Sequence, residues 1–455
     1  MSSHEIVERA LAQCSVDAMT VICNDHSSTN LRWASNTLTT NGVMRSRAVT
    51  VVAVDGGAAG VASASVASVD DVHELVLKAE TAARAGSPAP DRGDLVGGRS
   101  SGDFTDEPAD TSPEVFSRFA PDLGEWFARA RSAGQELFGF AEHELTTTYL
   151  GNTAGTRLRH VQPTGRLEVT GKSHDRSRST WVGRSTRDFA DIDVDSLHDD
   201  VSMRLGWADR TLALDAGRYE VILPPTTVAD FLIYQYWTGA ARDAAEGRTV
   251  FSKPGGGTRI GERLTEAPIT MMSDPSYPGI ECAPFVVAEA SGSTESVFDS
   301  GLPLERTEWI ADGTLAALGQ TRHSAALTGG ALTPMIDNLA LEVAGATDDV
   351  AGLIAGMERG LLLTTLWYIR EVDPQTLLLT GLTRDGVYLV EGGEVVGAVN
   401  NFRFNESPVD LLSRVSGASR TQTTLPREWS DFFTRTAMPA LKVHDFNMST
   451  VSQAS

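Results

Sequence analysis

Between Ser87 and Ser112 the chain loses every apolar period, with Pro88, Pro90 and Pro108 standing among many Gly, Ser and Asp residues. Neither helix nor strand is expected there, and the stretch reads as a linker or long loop. What precedes and follows it must be assembled from separate pieces. Before it, Ser2 and Glu5 have capping-box spacing, and Ile6, Val7, Ala10 and Leu11 mark one face of an opening helix. VDAMTVIC (16–23) reads as a strand, and TLTT and VMRS flank Asn41-Gly42, the expected turn of a hairpin. AVTVVAV and AAGVASASV, separated by Asp55, Gly56 and Gly57, form a second hairpin. Asp70 then caps a helix with inner face Val72, Leu75, Val76, Ala79 and Ala83.

After the linker, Ser112 and Pro113 start a helix carrying Val115, Phe116, Phe119, Leu123, Trp126 and Phe127. ELFGFAEHELTTTYL and GRLEVTGK read as strands returning to the first sheet. From about Tyr219 the pattern changes to a strand (YEVILP), a helix from Thr226 to Glu246, and then mostly strands. Turns are expected at Asp312-Gly313, Asp385-Gly386 and Gly392-Gly393. A late helix is expected from Asp348 to about Leu363, and a short one from Ser407-Pro408. The reading is α+β: a mixed N-terminal domain over 1–216, split by the linker at 87–112, and a β-rich domain over 217–455.

A formal charge of −22 repels phosphate backbones and anionic headgroups, so neither nucleic acid nor a membrane is an expected partner. Cys14, Cys23 and Cys282 form no CxxC pair, and their odd number fits a reducing compartment. His4, Glu5 and Glu8 interrupt any signal-peptide pattern, and no run approaches the roughly 18 apolar residues of a spanning helix. The expected location is the cytoplasm.

The catalytic motifs fail one by one. His143-Glu144 lacks the second histidine of HExxH, Thr147 and Thr148 standing in the partner positions, and ELTTTYL favours a strand. His4-Glu5 and His73-Glu74 fail the same test. Gly98-Arg99-Ser100-Ser101-Gly102 matches GxSxG only inside the linker. Arg166 occupies the place of the first glycine required of a phosphate loop ending at Gly171-Lys172-Ser173, and Gly255-Gly256-Gly257 follows no strand. Cys282 and His323 are the lone cysteine and histidine between Thr226 and Val443, the pair that an unorthodox second-domain site would have to use. Spacing alone shows no catalytic centre.

Three segments carry a family resemblance: LRWASNTLTTNG (31–42), LWYIREVDPQTLLLTGLTRDGVYLVEGGEVVGAVNNFRFNESPVDLL (366–412) and MPALKVHDFNMSTVS near the C-terminus. In order and spacing they resemble the TldD/PmbA family. That resemblance implies an α+β N-terminal domain, a β-rich C-terminal domain and a dimer. In the family's metal-holding subunit, TldD, a helix carries HExxxH and a downstream cysteine is associated with the metal. The matching helix here reads TTVADFLIYQYWTGAARDAAEG. Between Phe231 and Ala241 it has neither His nor Glu, Tyr234, Gln235, Tyr236 and Trp237 taking those places, and no cysteine follows Cys282.

The resemblance therefore points to the TldE-like branch: a subunit without zinc of its own, not catalytic alone, pairing with a zinc-holding TldD-like subunit or with itself, and binding unfolded peptides. Peptide-path candidates are Tyr234, Trp237, Trp367, Tyr368, Arg370, Asn400 and Asn401. The alternatives are a self-sufficient peptidase using Cys282 and His323, and a homodimeric peptide-binding module without cleavage.

Overall fold

A computed structural model describes residues 1–66 and 68–452; residues 453–455 of the expected second domain lie outside that range. Pieces from both sides of the linker build one antiparallel sheet in the order β3-β2-β1-β4-β5-β6. Its strands are β1 (Ala18–Ala34), β2 (Thr37–Asp55), β3 (Ala58–Ser65), β4 (Gln135–Asn152), β5 (Arg157–Ser173) and β6 (Ser179–Thr186). ELFGFAEHELTTTYL and GRLEVTGK do return to the first sheet, where β1 lies against β4 with Val21 opposite Gly151.

Four helices cover one face of this sheet: α1 (Ser3–Leu11), α2 (Val69–Ala85), α3 (Phe119–Ser132) and α4 (Val194–Trp207). The odd-numbered strand residues Met19, Val21, Trp33, Ala141, Leu167 and Val169 pack beneath them. The expected inner faces of α1 and α2 are buried, whereas α4 was not anticipated. The linker has no helix or strand beyond a single bridge from Ser100 to Arg157, yet it is tied down. Phe104 is buried, and the Tyr149 hydroxyl donates to the Asp106 carbonyl at 2.6 Å.

Three local expectations are corrected. The first hairpin turns at Ser35 and Asn36, both with positive φ, and Asn41-Gly42 lies inside β2. Asn36 settles the turn there, its Nδ2 donating to the Gln135 carbonyl at 2.7 Å and its Oδ1 accepting from the Leu137 N–H at 2.8 Å. The helix expected over Thr226–Glu246 breaks at Thr238–Ala240 into α5 (Pro225–Trp237) and α6 (Ala241–Ala245). A Cβ at Gly239 would sit 3.0 Å from the Tyr236 carbonyl. The helix expected over Asp348–Leu363 ends early, because the buried run after it completes a sheet.

The second half contains a short helix, α7 (Arg322–Thr328), not anticipated, then α8 (Val350–Ala355) and α9 (Pro408–Leu412). Its strands, in chain order, begin with β7 (Thr211–Leu212), β8 (Gly217–Leu223), β9 (Ile269–Ser273), β10 (Thr307–Ala311), β11 (Thr314–Leu315) and β12 (Leu339–Val343). There follow β13 (Arg359–Leu363), β14 (Leu366–Asp373), β15 (Leu378–Thr383), β16 (Val387–Glu391), β17 (Glu394–Val399) and β18 (Phe402–Glu406). Last come β19 (Val415–Ala418), β20 (Gln422–Thr424), β21 (Thr436–Met438) and β22 (Leu441–Val451).

One sheet runs β14-β15-β18-β22-β8-β13-β16-β17-β7 with β19 on β22, and the other runs β11-β10-β9-β12-β21-β20. The expected turns fall where Asp312, Gly313, Asp385, Gly386, Gly392 and Gly393 take positive φ. Helix α5 is buried over most of its surface, with Val228, Ala229, Phe231, Leu232, Ile233 and Tyr236 in the largest core and Trp237 exposed at its end. The fold is α+β.

Candidate functional site

Side chains alternate along a strand, so β4 turns Glu142, Glu144, Thr146 and Thr148 away from the helices. On β5 their cross-strand partners are Arg166, Thr164, Gln162 and His160. This polar face is roofed by residues 283–304, Pro334–Asp337 and 430–435, which leave a cleft of about 600 Å³. Phe285, Val287, Met335 and Phe432 give the roof an apolar side. His143 points to the other face, where Thr111 and the Arg187 carbonyl take its ring nitrogens at 2.7 and 2.9 Å.

Two arginines join sheet to roof. Arg166 donates to Glu142 at 3.0 and 2.9 Å and pairs with Asp431. Arg435 donates to Thr164 Oγ1 at 3.2 Å and pairs with Asp337. Beside them, Glu168 accepts from Ser430 Oγ at 3.1 Å and from the Trp181 indole at 3.2 Å. Burial raises the Glu168 carboxyl above its ordinary value.

Segment 425–435 also clasps α5. Thr226 Oγ1 donates to the Leu425 carbonyl at 2.6 Å, and the Trp429 indole donates to the Asp230 carbonyl at 2.8 Å. At the far end of the helix, Tyr236 donates to the Ile336 carbonyl at 2.8 Å and accepts its N–H at 2.7 Å. The cleft and α5 therefore share walls.

Five of the peptide-path candidates meet this segment. The Tyr234 ring lies 5.6 Å from Trp429, and Trp237 lies 5.2 Å from Trp429 and 6.3 Å from Phe433. Trp367 is flanked by the guanidinium groups of Arg427 at 5.2 Å and Arg384 at 5.9 Å. Glu428 accepts the N–H groups of Tyr368 and Ile369 at 3.1 and 3.0 Å and pairs with Arg370 at 3.3 Å. Tyr368 has φ +53° where the β14–β15 register shifts, and its ring is exposed. Asn400 and Asn401 lie elsewhere: Asn400 Oδ1 accepts from the Leu214 N–H at 2.8 Å, and Asn401 Oδ1 accepts from Thr383 Oγ1 at 3.3 Å.

The donors around α5 do not suit the zinc that the family resemblance associates with this helix. Asp230 is fully buried with Oδ2 unpartnered, and burial pushes its carboxyl well above the ordinary range, toward the neutral acid. Both side-chain polar atoms of Gln235 are unpartnered beside a void of about 10 Å³, space for a single water. No imidazole or thiolate accompanies them, and zinc sites draw on those ligands. Among the described residues no three His, Cys, Asp or Glu side chains are grouped to hold a metal.

Burial pushes the Cys282 thiol up to about 12, so it is protonated at neutral pH. The charges acting on it are Asp337, Arg435 and Asp274, and His323 is not one of them.

Sequence reasoning passed over Gln162, Arg435 and the run Arg427-Glu428-Trp429-Ser430-Asp431-Phe432-Phe433. It met Arg166 only as a misfit in a phosphate loop. One signal was present: polar residues at every second position from Glu142 to Thr148 and from His160 to Lys172 mark a sheet face built to be sheltered yet wet.

Residues 216–450 match the family model of the PmbA/TldA metallopeptidase C-terminal domain. No curated protein matches the chain in sequence. Among solved structures, TldE from Thermococcus kodakarensis aligns with TM-score 0.79 at 14% identity, covering 97% of this chain and 98% of that one. A candidate modulator of a DNA gyrase from Thermotoga maritima aligns with TM-score 0.78 at 15% identity, covering 97% and 99%. Another from Bacteroides thetaiotaomicron gives 0.75 at 12% identity, covering 99% and 98%.

Proposed function

The chain belongs to the TldD/PmbA family, and from that we propose that it is a TldE-like subunit, not catalytic alone, that binds unfolded peptides for a zinc-holding TldD-like partner. One observation carries the reading. The helix that matches the family's metal-binding helix holds Tyr234, Gln235, Tyr236 and Trp237 in place of ligands, and aromatic rings pack the surrounding space. The likeness to the Thermococcus kodakarensis TldE supports the fold on which the reading rests.

Peptide capture has a physical basis in β14, the outermost strand of its sheet. Apart from the Tyr368 and Ile369 N–H groups, which Glu428 holds, its outer edge offers backbone hydrogen bonds to an extended chain, and these recognise peptides with little regard to side chains. Tyr368 and Arg370 on that strand supply an exposed aromatic and cationic surface beside the half-buried Trp367. Few folded domains leave a long edge strand unprotected, whereas an unfolded chain offers extended backbone throughout, so the preference is for unfolded substrates. The cytoplasm suits the three free cysteines.

Elemental analysis of the purified chain, with peptide cleavage assayed alone and after mixing with a TldD-like chain bearing HExxxH, tests this reading. A zinc-free chain that is inactive alone and joins an active complex supports it. Stoichiometric zinc with cleavage by this chain alone refutes it.

A further inference from the structure

The cleft between the polar sheet face and its roof has a charge pattern that deepens the peptide-binding reading, on which this inference rests. Most of its carboxylates are already matched: Glu142 and Asp431 on Arg166, Asp337 on Arg435, and Asp299 on Arg322. Two are not. Glu144 on β4 has only the His26 ring, 3.7 Å away, and Glu295 in the roof has no ion pair among the described residues. We propose that this cleft accepts an extended peptide segment carrying a lysine or arginine, whose cationic head is met by Glu144 or by Glu295.

The surroundings suit such a side chain. Lysine and arginine lay an aliphatic stem along apolar surface and hold the charge at its end. Here Phe285, Val287 and Phe432 offer the apolar wall, and Phe432 is 76% exposed although it lines the cleft, a ring without a protein partner over most of its surface. The Thr146 and Thr148 hydroxyls, bonded to His26 at 3.2 Å and to Asn24 at 2.7 Å, each keep accepting capacity for a peptide N–H. A volume of about 600 Å³ accommodates a few residues of extended chain.

Both free carboxylates stand in a partly desolvated setting. Burial is the first cause raising Glu144 above its ordinary value, with Glu142 second; burial raises Glu295 likewise, with Glu289 second. The cations that act on Glu144, namely His26, Arg166 and Arg435, do not offset its burial, and both arginines are shared with other carboxylates, so an incoming ammonium or guanidinium relieves the remaining cost. A metal ion is a poorer occupant, since among the described residues no three His, Cys, Asp or Glu side chains are grouped to hold one. An anionic ligand would meet two free carboxylates and arginines that are already paired.

The test is titration of the full-length chain, by fluorescence anisotropy, with three labelled unstructured peptides that differ only in a central Lys, Gln or Glu. The lysine peptide is expected to bind at least about tenfold tighter than the glutamine peptide, and the glutamate peptide weakest. Raising salt should weaken the lysine peptide more than the glutamine peptide. In the Glu144→Gln and Glu295→Gln variants the ratio of lysine-peptide to glutamine-peptide affinity should fall toward one. Binding of all three peptides with equal affinity, or a preference that survives in the double variant, overturns the cationic specificity and leaves peptide binding standing. Failure of all three to bind overturns both. If the double variant does not fold, the salt dependence of the wild-type chain decides: a lysine preference insensitive to salt overturns the proposal.

Discussion

Asp230 Oδ1 accepts the Glu428 backbone N–H at 3.0 Å, while Asp230 Oδ2, sealed from solvent, has no partner. One carboxyl group thus fixes segment 425–435 to the central helix at the expense of an unsatisfied oxygen. The Glu428 side chain in turn fixes the backbone of β14 at Tyr368 and Ile369. Helix, segment and outer strand are linked through two consecutive acidic contacts, and five of the peptide-path candidates stand on that linkage.

The first prediction concerns Asp230. Its folded-state pKa lies well above the ordinary value of 3.8, burial being the largest cause and the nearby Glu428 charge another. A carboxyl raised on folding favours the native state fully below its unfolded pKa, and that contribution is lost as pH rises toward the folded pKa. Asp230→Asn keeps the acceptor for the Glu428 N–H and removes the ionisation. It should raise stability at about pH 8 by roughly 1–2 kcal/mol, with a smaller gain at about pH 5. Urea unfolding at both pH values checks it; an equal change at both would show that ionisation of Asp230 is not the cause.

Glu428→Ala should do the opposite and locally. It strips the acceptor from two backbone N–H groups and leaves Tyr368 without the contact that holds its left-handed φ of +53°. The expected loss is about 1–3 kcal/mol. Hydrogen exchange across Leu366–Asp373 should accelerate while the six-stranded N-terminal sheet keeps its protection. Uniform acceleration across the whole chain would contradict this.

The cysteines should separate by reactivity. Burial pushes both Cys23 and Cys282 up to about 12, so on the order of one in 10⁴ of either is thiolate at about pH 8. Cys14 is half-buried. Alkylation followed by mass spectrometry should modify Cys14 first and reach the other two only on unfolding. Rapid native modification of Cys282 would revive a thiol-based site.

The N-terminal fold was legible where one face of an element is buried and the other wet, because periodicity then shows directly. Helix α2 is the clear case, with Val72, Leu75, Val76, Ala79 and Ala83 all inward. Periodicity failed where both faces are buried: Arg359–Leu363 is a strand between β8 and β16, and its unbroken apolar run looks like the tail of a helix. Asn41-Gly42 misled because the local turn preference yields to Asn36, whose side chain bonds a distant strand. The cleft was hidden for a different reason. Arg166 and Arg435 gain meaning only beside Glu142, Asp431 and Asp337, and those neighbours are set by the packing of sheet against roof.

Two glycine substitutions separate close packing from mere flexibility. A Cβ at Gly60 on β3 would lie 2.2 Å from the Ala79 carbonyl and 2.3 Å from the Ala83 nitrogen, both backbone atoms of α2. Backbone cannot rotate out of the way as a side chain can, so the whole helix must move from the sheet. Gly60→Ala should therefore cost about 3 kcal/mol or more. Gly124, inside α3, has nothing within 4 Å of its added Cβ, and Gly124→Ala should stabilise by roughly 0.5–1 kcal/mol through helix propensity. Urea denaturation of the two variants reads opposite signs if α2 is seated on the first sheet as described. A near-neutral Gly60→Ala would mean that α2 sits further from β3, and with it the packing that shapes the N-terminal sheet would have to be revised.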